Sequence, residues 1–233
     1  MTASRRLLLI SNSTLHGSGY LDHVEREIVD FLGPRKRVAF IPHAVHDRDA
    51  YAARACARFA AMGYQLRSVH EPGAALDGAD AYFVGGGNTF RLLDALQRLD
   101  LIATIRRGVA TGIPYVGSSA GSIVACPSLR TTKDMPIVQP QTFEALGLVP
   151  FQISPHYLDP DPCSTHMGET QEERIFQYHE ENDAPVVGLR EGSMLVVDQG
   201  AIVLEGRVAA RVFRKGSHPV EVEPGGRLEH LIA

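Results

Sequence analysis

A run of small residues, GSSAG at positions 117–121, matches the G-x-S-x-G pattern, in which a sharp strand-to-helix turn exposes a nucleophilic serine. The pattern marks Ser119 as the candidate nucleophile. An apolar stretch precedes the turn, and residues 122–125 are compatible with a helix after it. A turn rich in glycine and serine can also serve packing alone. The strand-turn-helix context favours the nucleophile over that reading.

A serine hydroxyl is a weak nucleophile and needs a neighbouring base, for which histidine is the usual residue at neutral pH. Ten histidines compete for this role. His156 follows the apolar run 151–155, which predicts a position at the end of a buried strand. His43 ends another apolar run and is the reserve candidate. An ordinary histidine at a strand end is the alternative reading of His156.

The sequence GGGN at positions 85–88 follows an apolar run and precedes a helical pattern, with Asn88 as the predicted helix cap. Glycines at this place let backbone N–H groups turn towards a ligand. We expect the amides of Gly87 and Ala120 to stabilise a developing oxyanion. A phosphate-binding loop is the rival reading, but neither of the usual glycine-rich phosphate motifs is present in that form.

Two carboxylates compete to orient the base. Asp134 lies between Ser119 and His156 and would give the chain order of α/β-hydrolases, although little chain separates it from the serine. Glu191 follows a predicted strand, where a side chain can reach the top of a sheet. We favour Glu191, because geometry and not chain order defines a triad.

The elements that must position these residues alternate along the first half of the chain, which predicts βαβ units and a mostly parallel sheet flanked by helices. Predicted strands cover residues 7–10, 38–41, 65–69, 81–84 and 114–117, and predicted helices cover residues 20–32, 49–62, 88–99 and 101–107. Four later strands, at 185–189, 193–197, 201–204 and 209–213, are separated by turns and are expected to be antiparallel. We expect one α/β domain over residues 1–233 with a mixed sheet.

Composition narrows the class of partner. The chain has 233 residues, 44% of them hydrophobic, with a net charge of −4 and no basic block, so a nucleic-acid surface is not indicated. No apolar run approaches the ~20 residues of a bilayer span, and the N-terminal apolar stretch is too short for a secretory signal. We expect a cytoplasmic protein. Three widely spaced cysteines favour reduced thiols over disulfides or a metal site, and Cys126 is expected in the core.

Five separated motifs together resemble peptidase E, the α-aspartyl dipeptidase family: SNST at 11–14, GGGNTF at 85–90, GSSAG at 117–121, RTTKDMPIV at 130–138 and PH at 155–156. The resemblance covers nearly the whole chain. It implies a serine peptidase with a fold similar to class I glutamine amidotransferases, acting on dipeptides with N-terminal aspartate and using no metal or cofactor. By position, it implies Ser119, His156 and Glu191 as the triad and Gly87 and Ala120 as oxyanion donors.

The resemblance also implies a substrate site that contains Asn12, Asn88 and Asp134, the last with its role open. One residue departs from the family pattern. Members acting on aspartyl dipeptides characteristically carry arginine after Gly-Glu-Thr, whereas Gln171 stands there in this chain. Residues 158–167 differ as well. We expect a broader dipeptidase that accepts aspartyl substrates without being restricted to them, and Arg174 is the nearest substitute cation.

Two alternatives stay open. Cyanophycinases resemble this family and share the serine turn, but they degrade an aspartate-arginine polymer. A catalytically silent relative that binds a small peptide or amino acid is the second alternative, against which the presence of Ser119, His156 and Glu191 argues. The expected partner is a small peptide, with no nucleic acid and no membrane, and a homodimer is left open.

Overall fold

A computed structural model describes residues 5–70 and 76–231, which form an α/β architecture with two sheets. The strands of this part of the chain are β1 (Leu7–Ile10), β2 (Arg37–Ile41), β3 (Gln65–Ser68), β4 (Ala81–Val84), β5 (Tyr115–Ser118), β6 (Gln152–Pro155), β7 (Val186–Leu189), β8 (Ser193–Asp198), β9 (Ala201–Gly206), β10 (Ala210–Phe213) and β11 (Val220–Val222). The α-helices are α1 (Glu25–Leu32), α2 (Arg48–Ala61), α3 (Thr89–Arg98), α4 (Leu101–Ala110), α5 (Ala120–Ala125) and α6 (Gln171–Glu181).

The larger sheet has seven strands in the order β3-β2-β4-β5-β1-β8-β9. The first five are parallel, and β8 and β9 are antiparallel additions at one edge. The prediction of a mostly parallel sheet flanked by helices is confirmed. Ile10 lies opposite Ser118 in the β1–β5 pairing, so the residues that follow these two strands meet at one edge of the sheet.

A second sheet carries four strands in the order β11-β10-β7-β6. The expectation of one mixed sheet is therefore wrong for β7 and β10, which belong here. β6 and β7 are parallel and are joined through α6, a crossover that local sequence patterns do not reveal. Pro155 lies opposite Leu189, so the residues after these strands, among them His156 and Glu191, come out side by side.

Two helix boundaries differ from the expectation for physical reasons. The first helix begins at Glu25 and not at residue 20, because Leu21 has a φ of 59°, which an α-helix does not accommodate. The fourth helix continues through Gly108 to Ala110. Gly108 permits close packing there, since a Cβ would overlap the hydroxyl of Tyr82.

The core lies on both faces of the larger sheet. Alternation along β1 places Leu7 and Leu9 with one apolar cluster and Leu8 and Ile10 with the other, and all four are fully buried. Strands covered on both faces read as continuous apolar runs, as β1 and β4 do. Within the described residues, no helix is long and apolar enough to cross a membrane. The class I glutamine amidotransferase likeness and the single domain stay predictions.

The turn between β5 and α5 depends on two glycines that admit close backbone contact. A Cβ on Gly117 would lie 2.6 Å from the carbonyl oxygen of Gly121, and a Cβ on Gly121 would overlap the carbonyl oxygen of Val84. These contacts explain why the pattern needs small residues on both sides of Ser119. They also hold the turn against β4, its neighbour in the sheet.

We predict that Gly121→Ala lowers the free energy of unfolding by about 1–3 kcal/mol, because the added methyl group overpacks the turn. Urea unfolding measures the effect. Ala53→Ser, which adds one atom at an exposed position of α2, is the control and should change stability by less than about 0.5 kcal/mol. Equal stability of the two variants would contradict the packing argument.

Candidate active site

Ser119 occupies the turn between β5 and α5, with φ 53° and ψ −109°. A non-glycine residue in this region is strained, and such strain clusters at functional sites. The backbone N–H of Ser119 donates to the carbonyl of Ile10 at 2.9 Å, and the hydroxyl of Ser122 donates to the same carbonyl at 2.7 Å. Tertiary contacts thus maintain the strained turn and leave the Ser119 side chain partly exposed.

His156 directly follows β6 and also has a positive φ, 51°. Its Nε2 lies 2.9 Å from the Oγ of Ser119, and its backbone N–H donates to the Oγ of Ser11 at 3.0 Å. His43, the reserve candidate, is buried, and neither ring nitrogen has a hydrogen-bond partner among the described residues. Burial lowers the pKa of His43 to about 4. The structure therefore pairs Ser119 with His156 and not with His43.

Glu191 provides the carboxylate beside the histidine, with its Oε1 2.6 Å from the Nδ1 of His156. Asp134 is engaged elsewhere. Its Oδ2 accepts from the backbone N–H and from the hydroxyl of Thr89, each at 2.6 Å, at the start of α3. The alternative of Asp134 as the orienting acid is not what the geometry favours, because its carboxylate holds the 130–138 loop on this helix.

The residues after β1 form hydrogen bonds that hold the chain at the histidine and next to the carboxylate. Besides accepting from His156, Ser11 donates its hydroxyl proton to the carbonyl of Leu189 at 2.7 Å. Asn12 is buried, its Oδ1 accepts from the N–H of Gly192 at 2.8 Å, and its Nδ2 donates to Thr14. We predicted a substrate contact for Asn12, but both of its amide atoms are engaged within the protein: Oδ1 holds the turn that carries Glu191, and Nδ2 holds the loop after β1. Sequence reasoning overlooked Ser11, although it stands in the same motif.

Arg190 links the two strand ends that carry the histidine and the carboxylate. Its guanidinium forms ion pairs with Asp159 at 2.6 Å and with Glu221 at 2.8 Å, and it lies 5.6 Å from the ring centre of Tyr157. The bonds to these two carboxylates raise the pKa of Arg190. The network joins the chain just after His156 to the residue just before Glu191. No local pattern in the sequence revealed it.

The glycine loop after β4 lies against the serine turn. A Cβ on Gly86 would lie 3.1 Å from the Cβ of Ser119, and a Cβ on Gly87 would lie 2.6 Å from the carbonyl oxygen of Ala44. Gly87 has a φ of 134°, which favours glycine. Within the described chain, the backbone N–H groups of Gly87 and Ala120 form no hydrogen bond to the protein. Both donors therefore stay available for an oxygen bound near Ser119.

The other two predicted substrate residues lie around the site in different ways. Asn88 caps α3 by accepting from the N–H of Arg91 at 3.0 Å, and its Nδ2 donates to the carbonyl of Met135. Gln171 begins α6, and its Nε2 donates to the carbonyl oxygen of His156 at 3.3 Å, so it contacts the backbone of this residue and not its ring. Its Oε1 accepts from Lys133 at 3.1 Å. Lys133 was not singled out from the sequence, although it belongs to the 130–138 motif.

The described residues give less support to a metal site or a catalytic cysteine. No group of three or more histidine, cysteine, aspartate or glutamate side chains there is placed to hold a metal ion. Cys126 is fully buried, as expected, and burial raises the pKa of its thiol, which disfavours the reactive thiolate.

Comparison with known proteins decides the family. The model of peptidase family S51 matches residues 7–204. The chain belongs to peptidase family S51. It is 56% identical to a peptidase E of Streptomyces coelicolor over 229 residues, with 97% of this chain and 94% of that relative covered. It is 42% identical to a probable alpha-aspartyl dipeptidase of Drosophila melanogaster, with 100% and 99% covered.

A solved structure agrees at the level of the fold. The crystal structure of a peptidase from an acI-B1 Actinobacterium superposes with a TM-score of 0.72 at 16% identity, covering 98% of this chain and 97% of that one. The prediction of a serine-type dipeptidase related to peptidase E is confirmed as to family and enzyme class. The roles of the individual S51 site residues stay predictions.

The two candidate acids can be separated by amide substitution. We predict that Glu191→Gln lowers kcat by up to about 10⁴-fold, because an amide next to Nδ1 misplaces the histidine tautomer. Asp134→Asn should change kcat far less and should mainly lower the free energy of unfolding, by about 0.5–2 kcal/mol, through the weakened cap of α3. Steady-state kinetics and urea unfolding measure both variants. A larger kcat loss in Asp134→Asn, at equal stability, would reverse the assignment.

Proposed function

We propose that this S51 peptidase hydrolyses dipeptides through an acyl-enzyme formed on Ser119, with His156 as general base and Glu191 as the acid that orients it. One observation carries the proposal: Ser119 Oγ, the two ring nitrogens of His156 and the Glu191 carboxylate form an unbroken chain of contacts at 2.9 Å and 2.6 Å. Both contacts are within the reach that a nucleophile, its base and an orienting group require.

In the first half of the reaction, Nε2 of His156 removes the proton of Ser119 as Oγ attacks the carbonyl carbon of the peptide bond. The amides of Gly87 and Ala120 donate to the oxyanion of the tetrahedral intermediate. His156 then gives the proton to the leaving amine, and the C–N bond breaks. Glu191 accepts from Nδ1–H throughout and stabilises the imidazolium.

In the second half, His156 takes a proton from water, and the resulting hydroxide attacks the acyl carbon bound to Ser119. Collapse of the second intermediate breaks the bond to Oγ, and His156 returns the proton to the serine. The products are a free amino acid and the amine released in the first half. The cycle needs no group beyond the chain and water.

We propose that the substrates are short peptides, with N-terminal aspartate accepted and not required. Support for aspartate comes from the relative that is named a probable alpha-aspartyl dipeptidase. Support for breadth comes from Gln171, which offers a neutral amide where aspartyl-specific members carry a guanidinium that can bind a carboxylate with two hydrogen bonds. A cytoplasmic location is part of the proposal.

The two alternative functions are distinguishable by assay. A cyanophycinase-like hydrolase would release products from an aspartate-arginine polymer faster than from dipeptides. A silent binding relative would bind small peptides without hydrolysing them. The complete contact chain at Ser119 favours hydrolysis over simple binding.

Replacement of the nucleophile is the direct test in catalysis. Ser119→Ala should lower kcat/KM for dipeptides by about 10⁴-fold or more, because the triad acts as a unit. Ser118→Ala is the matched control. Ser118 is buried, and its hydroxyl has no partner among the described residues, so its removal should be mild. Amino-acid release measures both, and a Ser119→Ala enzyme with most of the original kcat/KM would end the proposal.

Substrate breadth is tested by restoring the family residue. Gln171→Arg should shift kcat/KM towards Asp-Xaa relative to Asn-Xaa dipeptides by about tenfold or more, since a guanidinium adds a charged partner for the side-chain carboxylate. The wild-type enzyme is assayed with the same Asp-Xaa and Asn-Xaa dipeptides. Cleavage of Asp-Xaa dipeptides alone by wild type would contradict the proposed breadth.

A further inference from the structure

A lysine ammonium lies directly behind the proposed catalytic base. The Nζ of Lys133 donates to the carbonyl of Pro155 at 2.8 Å, to the carbonyl of His156 at 3.0 Å and to Oε1 of Gln171 at 3.1 Å. The two carbonyls belong to rigid backbone at the end of β6, so they fix the ammonium in place. The third acceptor, the Gln171 oxygen, also accepts from the N–H of Leu158 at 3.1 Å, so it keeps a partner when a ligand replaces it on Nζ.

This ammonium has no carboxylate partner among the described residues, although two carboxylates influence it electrostatically. Asp134 is bonded to Thr89, and Glu191 is bonded to His156. The ion pairs within residues 5–70 and 76–231 include none with Lys133. An ammonium held by neutral carbonyls next to an active site is suited to an anionic group of the substrate.

The space beside Lys133 is also lined by positive charge. A small cavity of about 70 Å³ is lined by Lys133, Gln171, Ser154 and two further cations, Arg130 and Arg174, and its described lining contains no carboxylate. A water molecule occupies roughly 30 Å³ of liquid, so the cavity admits a group of a few heavy atoms, such as a carboxymethyl side chain. Lys133 and Gln171, which line this cavity, both donate to the carbonyl of His156, so the cavity adjoins the backbone of the proposed base.

We propose that Lys133 is the specificity-determining residue that binds the side-chain carboxylate of an N-terminal aspartate, the charge being supplied from position 133 and not from position 171. This inference rests on the proposed dipeptidase function and deepens it. The substrate carboxylate takes the place of the Gln171 oxygen on Nζ, while the Pro155 and His156 carbonyls keep the ammonium in position. Lysine offers a compact charge without the planar fork of arginine, which fits acceptance of aspartate without restriction to it.

The residue as a whole is exposed, but the ammonium of Lys133 lies close to the protein, which disfavours its charged form. Burial of the ammonium lowers the pKa of Lys133 to about 8. The charged groups that face it are Asp134 on its own loop, Glu191 after β7 and Arg174 on α6; His156 contributes a titratable ring after β6. Since the ammonium is charged below this pKa, a preference for aspartate should be present below about pH 8 and lost above it.

The test compares kcat/KM for Asp-Xaa and Asn-Xaa dipeptides that share the second residue. The ratio of the two values is the readout, because a disturbance of His156 affects both substrates and cancels. Lys133→Met should lower the ratio by about tenfold or more and abolish its fall between about pH 7 and about pH 9. Lys36→Met, the same substitution at an exposed lysine just before β2 whose Nζ donates to the Gly63 carbonyl, is the matched control and should leave the ratio unchanged.

Moving the positive charge from position 133 to position 171 should restore the preference for aspartate. The double variant Lys133→Met/Gln171→Arg should recover the preference for aspartate, and the recovered ratio should no longer fall near pH 8, because arginine stays charged. The wild-type pH profile of the ratio needs no variant and keeps the test decisive if a substitution unfolds the protein.

Three outcomes would overturn the assignment: an unchanged ratio in Lys133→Met, an equal loss of the ratio in Lys36→Met, or equal kcat/KM values of the wild-type enzyme for Asn-Xaa and Asp-Xaa. In each of these the enzyme still hydrolyses dipeptides, so the proposed function survives. Failure of wild type to hydrolyse either substrate would instead refute the proposed function, and this inference with it.

Discussion

The end of β1 holds the active site together through three consecutive residues. The Ile10 carbonyl accepts from the backbone of Ser119, the Ser11 hydroxyl accepts from the backbone of His156, and the Asn12 side chain accepts from the N–H of Gly192, next to Glu191. Each of the three proposed catalytic residues is thus tied to one short stretch of buried backbone. Such support matters because a displacement of about 1 Å can cost ~10²-fold in rate.

The strands explain why this arrangement is available. β1 pairs with β5 in the larger sheet, which places the serine turn beside Ile10. In the smaller sheet, the parallel register of β6 and β7 brings out His156 and the Glu191 turn together. Ser11 joins the two sheets by bonding to both His156 and Leu189. The site is therefore an inter-sheet junction, and its geometry depends on the register of two separate strand pairs.

Local signals in the sequence predicted the parts of this site that local structure determines. The serine turn follows from its small residues, the cap at Asn88 from its place before a helix, and His156 and Glu191 from their positions after apolar runs. The second sheet was missed, because the pairing of β6 with β7 spans a helix and leaves no periodic signal. The support given by Asn12 and the contact between Lys133 and Gln171 were missed for the same reason, since each joins distant segments.

Covalent labelling by a serine-directed phosphonate tests the central claim most directly, namely that the end of β1 presents Ser119 as the activated nucleophile beside His156. The active enzyme should gain the mass of one adduct, peptide mapping should place it on Ser119, and His156→Ala should slow its formation in parallel with the loss of activity. An adduct on another residue, or a fully active enzyme that takes up no phosphonate, would contradict the account.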